Sequence, residues 1–420
     1  MESSPRVLRP NRAQLELRPT DLESLLPEDH RARAVWEFVE GLDLTPLYER
    51  IRSVEGHAGR PAIDPAILMA LWLYATVEGV GSARALARLC EQHDAYRWIC
   101  GGVSVNHHTL SDFRVGHEKV LDELLTKSVA RLMDAGLVSL RRVSQDGMRV
   151  RASAGAASFR RRKRLRELEK EARKQVEALR RELDEDPAAT SRRQAEARLR
   201  AAKDRQSRVK RALAEMKAAE ERKEPKEKAQ ARVSTTDAEA RVMRMADGGY
   251  RPAYNAQFAT DPASQIIVGV EVANEGADQR QLEPMLDQLE DRYETRPTDV
   301  LVDGGFIGLE VIERVSERGC RIYGPVPTPR DPDRDPHRPL PNDTPAVARW
   351  RQRMGRATAK EIYKLRCATS ECVNAIARNR GLRQLTVRGR RKVRAVLLWY
   401  ALAHDMMRER SLLEAATEAA

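Results

Sequence analysis

The sequence predicts an α/β fold: a mixed sheet flanked by helices, preceded by an all-helical region and interrupted by an inserted helical hairpin. Three observations carry this reading. Residues 28–138 repeat apolar residues at helical spacing, broken by Gly and Pro turns. Leu140–Val150 and the stretch from Tyr250 to Val326 alternate short strand-like runs with amphipathic segments, the pattern of a sheet with crossover helices. Between them, residues 159–232 change composition abruptly and carry 26 Lys/Arg against 15 Asp/Glu.

The elements follow in order. Residues 1–27 are polar and Arg/Pro-containing and read as a flexible arm. Within the helical region (28–138), Pro61-Ala-Ile-Asp-Pro65 starts a helix through about Val77. Gly79-Val-Gly81 breaks it, and Ser82 is placed to cap Ala83–His93. Thr109 or Ser111 is placed to cap a further helix, which His107 and His108 precede. Short helices with tight turns suit a helix-turn-helix-like DNA-binding module and equally suit an unspecialised bundle. Leu140–Val150 reads as a strand that runs up to Asp146-Gly147.

In the insert, Leu165, Leu168, Ala172, Val176, Leu179 and Leu183 recur at three- and four-residue steps. Asp184-Glu-Asp-Pro187 breaks the run, and Leu199, Ala202, Val209, Leu213 and Met216 resume it. This predicts an antiparallel coiled-coil hairpin over 159–232. Its positive charge suits contact with DNA or a solvated helical face. Strands follow at Tyr250–Thr260 and Ser264–Ala273, then a helix at Asp278–Tyr293. A strand ending at Asp303, a helix at 308–318 and a strand at Arg321–Val326 come next. Residues 327–346, rich in Pro and Asp, read as loop. Ala357–Asn379 and Gly389–Met407 read as helices, leaving 408–420 as a C-terminal tail. The sheet-forming part is therefore split, 139–158 and 233–407.

Composition narrows the function. The net charge of +12 and pI near 9.6 favour a polyanionic partner, most simply nucleic acid. Five scattered cysteines form no CxxC pair and no His-spaced zinc pattern, so a disulfide scaffold and a zinc module are both disfavoured. The most apolar run, Ala66–Ala75, is about half the ~20 residues a membrane span needs. The N-terminus has no secretory signal. A cytoplasmic protein is expected.

Two carboxylates, Asp146 and Asp303, each end a predicted strand and are each followed by glycine. Asp-Gly is a common turn, and the pairs admit that reading. If the strands are neighbours, the carboxylates meet, and their repulsion calls for a divalent cation. Oxygen ligands suit Mg2+ or Mn2+, and an ion pair about 3.5–4 Å apart can serve phosphodiester transfer. A third carboxylate is available in Glu371, which shares a helical face with Arg378.

Together these segments resemble the bacterial insertion-sequence transposases with an RNase H-like DDE core. The likeness rests on Gly59–Tyr74, Tyr96-Arg-Trp-Ile-Cys-Gly-Gly and His107–Arg114 in the helical part. In the core it rests on Ser144-Gln-Asp146-Gly, Ser234–Arg241, Tyr254-Asn-Ala-Gln257 and Val302-Asp303-Gly-Gly-Phe. Tyr363, Arg366, Glu371 and Arg378 fall on the family's Tyr-Arg-Glu-Lys signature, followed by Asn379–Arg383 and Arg388-Gly389. Arg378 stands where Lys is usual, and Cys-Val-Asn follows Glu371 in place of the frequent Pro-Val-Phe. The resemblance implies a DNA transposase acting on terminal inverted repeats, with Asp146, Asp303 and Glu371 as catalytic metal ligands, holding two Mg2+ or Mn2+ ions. It implies that Tyr363, Arg366 and Arg378, with His107, His108 and Arg114, contact DNA, and that a homodimer assembles on it. The rival reading is a catalytically inactive DNA-binding regulator derived from such an enzyme.

Overall fold

The computed structural model describes residues 21–53, 61–185 and 192–418. Residues 1–20 of the expected arm, Gly59-Arg60, and Asp186-Pro187 of the expected hairpin break lie outside them. The end of the arm is ordered: Glu23–Leu25 form a short turn, and Leu26 is buried.

Among the described residues, the helical region contains α1 (Arg31–Glu40), α2 (Thr45–Tyr48), α3 (Pro65–Val77), α4 (Ala83–Gln92), α5 (Asp94–Cys100), α6 (His107–Gly116) and α7 (Glu118–Asp134). Asp64 caps α3 by accepting from the Ala66 amide, and Ser82 caps α4. Helix α3 is apolar nearly all round and is correspondingly buried on every side. The cap of α6 differs from expectation. Asn106 accepts from the amides of His108 and Thr109, so the helix begins at His107 and both histidines lie in its first turn.

The sheet consists of β1 (Arg142–Arg151), β4 (Arg241–Arg244), β5 (Tyr250–Thr260), β6 (Ile267–Ala273), β7 (Asp299–Leu301) and β8 (Arg321–Tyr323). Strand β5 pairs antiparallel with β1 on one edge and with β4 and β6 on the other. Strands β1, β7 and β8 are mutually parallel. Three antiparallel strands continuing into a parallel set, with helices packed on the sheet, is the RNase H-like arrangement. Asp299, at the start of β7, ties the parallel strands together. It is buried between Arg142 of β1 and Arg321 of β8, at 3.0 and 2.6 Å, and both arginines are its register partners.

The insert leaves and re-enters through a two-stranded ladder of β2 (Phe159–Arg160) and β3 (Val233–Ser234). Its helices, α8 (Arg162–Glu185) and α9 (Arg192–Glu221), run antiparallel, since Arg162 pairs with Glu220 near the base and Glu182 with Arg198 near the tip. The seam buries Leu165, Ala172 and Val176 against Ala202, Val209, Ala212 and Met216. Leu165, Ala212 and Met216 join Ala231 and Val233 in a separate apolar cluster at the hairpin base.

After β6 come α10 (Leu282–Tyr293), α11 (Leu309–Glu317), α12 (Pro345–Gly355), α13 (Ala357–Arg366), α14 (Cys372–Asn379) and α15 (Arg390–Glu418). Helix α12 was not expected, although Thr344-Pro345 is a sound helix start. Helix α15 continues to Glu418, well past Met407, because Arg410–Glu414 pairing supports its exposed last turns. This helix is the spine of the molecule. Trp399 is fully buried beside Trp72 of α3 and donates to the Arg114 carbonyl, while Arg394 pairs with Asp122 of α7. One apolar core therefore runs without a break from α1 and α3 through α15 to β1, β5 and β6. A second core, around Phe306, Ile312 and Trp350, holds β7 and β8 against α11 and α12.

Candidate active site

Strands β1 and β7 are parallel neighbours, with Ser144 opposite Leu301. Two residues further along, the same register brings Asp146 level with Asp303. The two positions differ in backbone, however. Asp303 follows the end of β7 and accepts from the Gly305 amide at 2.8 Å, an Asx turn into Gly304–Phe306. Asp146 does not end its strand. Strand β1 passes straight through Asp146-Gly147 to Arg151 because β5 remains paired with it as far as Ala253.

Gly147 is therefore not a turn residue. A Cβ there would collide with the side chains of Asp278 and Gln257. Asp278, just before α10, is buried and accepts from Asn255 (2.6 Å), Gln257 (2.8 Å) and Arg149 (2.9 Å). Gln145 extends the cluster by donating to Gln257. Motif residues Asn255 and Gln257 thus support the back of β1, and Asp278 was not singled out from sequence.

Glu371 arrives by a less regular route. Between α13 and α14 the helix widens into a π turn over Cys367–Glu371. In a regular α-helix, positions five apart point about 140° away from each other, from ~100° per residue. The extra residue of a π turn restores them to one face. Arg366 and Glu371 are five apart and hydrogen-bonded at 2.8 Å. The turn is pinned on both sides. Thr369 bonds back to the Leu365 and Arg366 carbonyls, and Ser370 shares a 2.5 Å hydrogen bond with Ser144 of β1.

The three carboxylates converge on the Arg366 guanidinium, whose side chain is 10% exposed. One terminal nitrogen lies 3.4 Å from Asp146 and 4.0 Å from Asp303, and the other bonds Glu371. Burial pushes the Asp146 pKa up, Arg366 opposes this, and the Asp303 and Asp278 charges add to it. Three carboxylates and no sulfur or nitrogen ligand make a hard oxygen donor set that fits Mg2+ or Mn2+. With the guanidinium beside all three, no three such groups among the described residues stand close enough to share one ion.

The other residues expected to contact DNA are spread over several elements. Tyr363 is half-buried one turn before Arg366 and packs on the second core. Arg378 is exposed on α14. Arg366, expected to point at DNA, faces the carboxylates instead. Arg114, also expected at DNA, is 6% exposed, lies over the Trp72 ring and donates to the Gly81 carbonyl and Thr386 hydroxyl. In this position it ties α6 to the core. His107 and His108 stack at 4.1 Å on the first turn of α6, apart from the carboxylate cluster. Asn374, buried one turn beyond Glu371 and noted in the sequence only as a departure from the family pattern, donates from its amide to Asp146 at 3.0 Å.

An RNase H-like sheet with three carboxylates meeting beside its central parallel strands defines a class of polynucleotide-processing proteins. Residues 221–406 match the family described as transposase DDE domain, and residues 20–116 match the transposase domain DUF772. Both are domains characteristic of the DDE transposases of insertion sequences. Strand β1 and most of the hairpin fall between the two matches. No curated protein and no solved structure matches the chain.

Proposed function

We propose that the chain binds the terminal inverted repeats of its insertion sequence, cleaves the DNA there and transfers the freed 3′-hydroxyl ends to target DNA. The observation that carries this is the convergence of Asp146, Asp303 and Glu371 on one charged centre, supplied by β1, the end of β7 and a π turn. In this reading the three carboxylates hold Mg2+ or Mn2+, most simply two ions. When bound, such ions activate an attacking oxygen and stabilise a leaving oxygen. The work of the chain's own residues is positional. β1 and β7 fix two carboxylates, and the Ser144–Ser370 bond holds the third against them. Arg366 balances their charge in the DNA-free protein and turns to a phosphate when substrate arrives.

In this reading Tyr363 and Arg378 contact the phosphates or terminal bases. His107 and His108 contribute from the helical region (28–138), which serves as a DNA-binding domain. The split core (139–158 and 233–407) is the catalytic domain. A homodimer holds both element ends, and the protein acts in the bacterial cytoplasm at the nucleoid. No helix among the described residues is long and apolar enough to cross a membrane.

The test is cleavage of DNA carrying the element's own ends, with and without Mg2+. Wild type is expected to nick at the repeat boundary. Asp146→Ala, Asp303→Ala and Glu371→Ala should each lower the rate by at least ~100-fold, in keeping with the several kcal/mol that metal-centred charge stabilisation contributes. DNA binding by the variants should persist. Binding without cleavage in the wild type would instead identify an inactive regulator.

A further inference from the structure

The residue after Cys372-Val373 breaks a local rule. Asn374 sits on the inner face of α14, 3% exposed, between the buried residues Val373 and Ala377. An apolar side chain would suit that place. The amide instead donates from Nδ2 to Asp146 Oδ2 at 3.0 Å, and its own Oδ1 is buried without a hydrogen-bond partner. A buried polar atom left unpaired costs on the order of 1–3 kcal/mol. Such unsatisfied groups call for an explanation, and a catalytic role is one of the standard ones. The other Asp146 oxygen accepts from the Gly147 amide at 2.9 Å and faces Arg366. Asp146 is thus held at both oxygens, one by its own strand and one by Asn374.

We propose that Asn374 is a positioning residue of the carboxylate centre: Nδ2 fixes the Asp146 carboxylate in its ligand-ready orientation, and Oδ1 offers the centre a neutral oxygen acceptor. This rests on the reading that Asp146, Asp303 and Glu371 hold a divalent cation. Asn374 lies one helical turn from Glu371, so one rigid helix start fixes one carboxylate directly and steadies a second across the sheet. Outer partners of metal ligands typically change metal affinity by 10- to 100-fold when removed.

The experiment uses the full-length, DNA-free protein and Mn2+ as the probe, with binding followed by titration calorimetry and folding by thermal melting. The variants are Asn374→Leu, which keeps the branched shape and the number of heavy atoms, Asn374→Ala, and Asp303→Ala as the control for the site. Asn374→Leu and Asn374→Ala should bind Mn2+ at least ~10-fold more weakly than wild type. The melting temperature of Asn374→Leu should stay near that of wild type, since removal of an unpaired buried oxygen offsets loss of the hydrogen bond to Asp146. If Asp303→Ala weakens Mn2+ binding but Asn374→Leu binds as wild type, Asn374 only fills space and the proposal is overturned. If Asp303→Ala also binds as wild type, the cation reading of the centre fails first, and the role of Asn374 falls with it.

Discussion

His404 links stability to pH through a single buried proton. It lies on α15, 4% exposed, with Nε2 2.9 Å from the Gln265 carbonyl. A carbonyl only accepts, so Nε2 carries the hydrogen of the neutral ring. Burial pushes the pKa down to about 4; the Gln265 carbonyl opposes, while Arg380 and Arg408 add to the fall. The neighbouring Asp405, buried on the same helix, is itself pushed well above the usual carboxylate range by burial. In the unfolded chain His404 titrates near ~6.5. Above that pH both states are neutral and the full stability is present. Between about 6.5 and 4 the unfolded chain binds a proton that the native one refuses, so stability falls with pH, and below about 4 this loss is complete. At pH 5 the cost is about 2 kcal/mol, from ~1.36 kcal/mol per pKa unit. His404→Gln keeps a donor for Gln265 without the titration. Urea melts at pH 7 and pH 5 should show wild type losing about 2 kcal/mol more than the variant over that interval; equal losses would refute the assignment. Arg114 teaches a related lesson, since its charge pointed to the surface and it is buried over Trp72.

At the scale of elements, the π turn decides where Glu371 points. Inserting one alanine after Ala368 sets Arg366 and Glu371 six apart, which at ~100° per residue swings Glu371 about 120° off the shared face. The expected result is loss of cleavage with helix content by circular dichroism unchanged. Retained cleavage would show that the wide turn is incidental. The sequence announced much of the rest. β5 occupies the residues its alternation marks, Tyr250–Thr260, and the strands that carry and precede Asp146 and Asp303 are neighbours. What sequence hid is what depends on partners. Asp146-Gly147 reads as a strand end, yet pairing with β5 carries β1 onward, and the glycine is required by Asp278 across the sheet. A π turn leaves no trace in apolar periodicity. Its hint lay in Cys-Ala-Thr-Ser, whose Thr369 competes for backbone carbonyls. Asn374 looked like a departure from the family pattern, and only the Asp146 contact gives it a reason. Helix α12 was legible in Thr344-Pro345 and was obscured by the Pro/Asp-rich loop before it.

Across the whole molecule, the excess positive charge is placed unevenly, and this predicts where DNA binds. The insert carries 26 Lys/Arg against 15 Asp/Glu, but its tip, residues 174–207, holds 9 against 7. The base, residues 159–173 and 208–232, holds 17 against 8. The base also adjoins the sheet. A groove of about 550 Å³ there is lined by Arg222, Lys223, Arg232, Arg241 and Arg280, together with Gly276. Gly276 receives a hydrogen bond from Arg149, which pairs with Asp278 behind Asp146, so the groove is one layer of side chains from the carboxylate centre. A coiled coil that reached DNA mainly with its tip would concentrate its charge there; this one is close to neutral at the tip. Replacing 174–207 with a short Gly/Ser turn keeps Leu165, Ala212 and Met216, and so should leave the base cluster folded. That truncation is expected to change affinity for the element ends little. Neutralising Lys223, Arg232 and Arg280 together should weaken binding and flatten its salt dependence by up to ~0.9 in log–log slope per lost phosphate contact. Filter binding across a series of salt concentrations separates the two outcomes. If truncation costs more than neutralisation, the tip carries the DNA contact and the base groove does not.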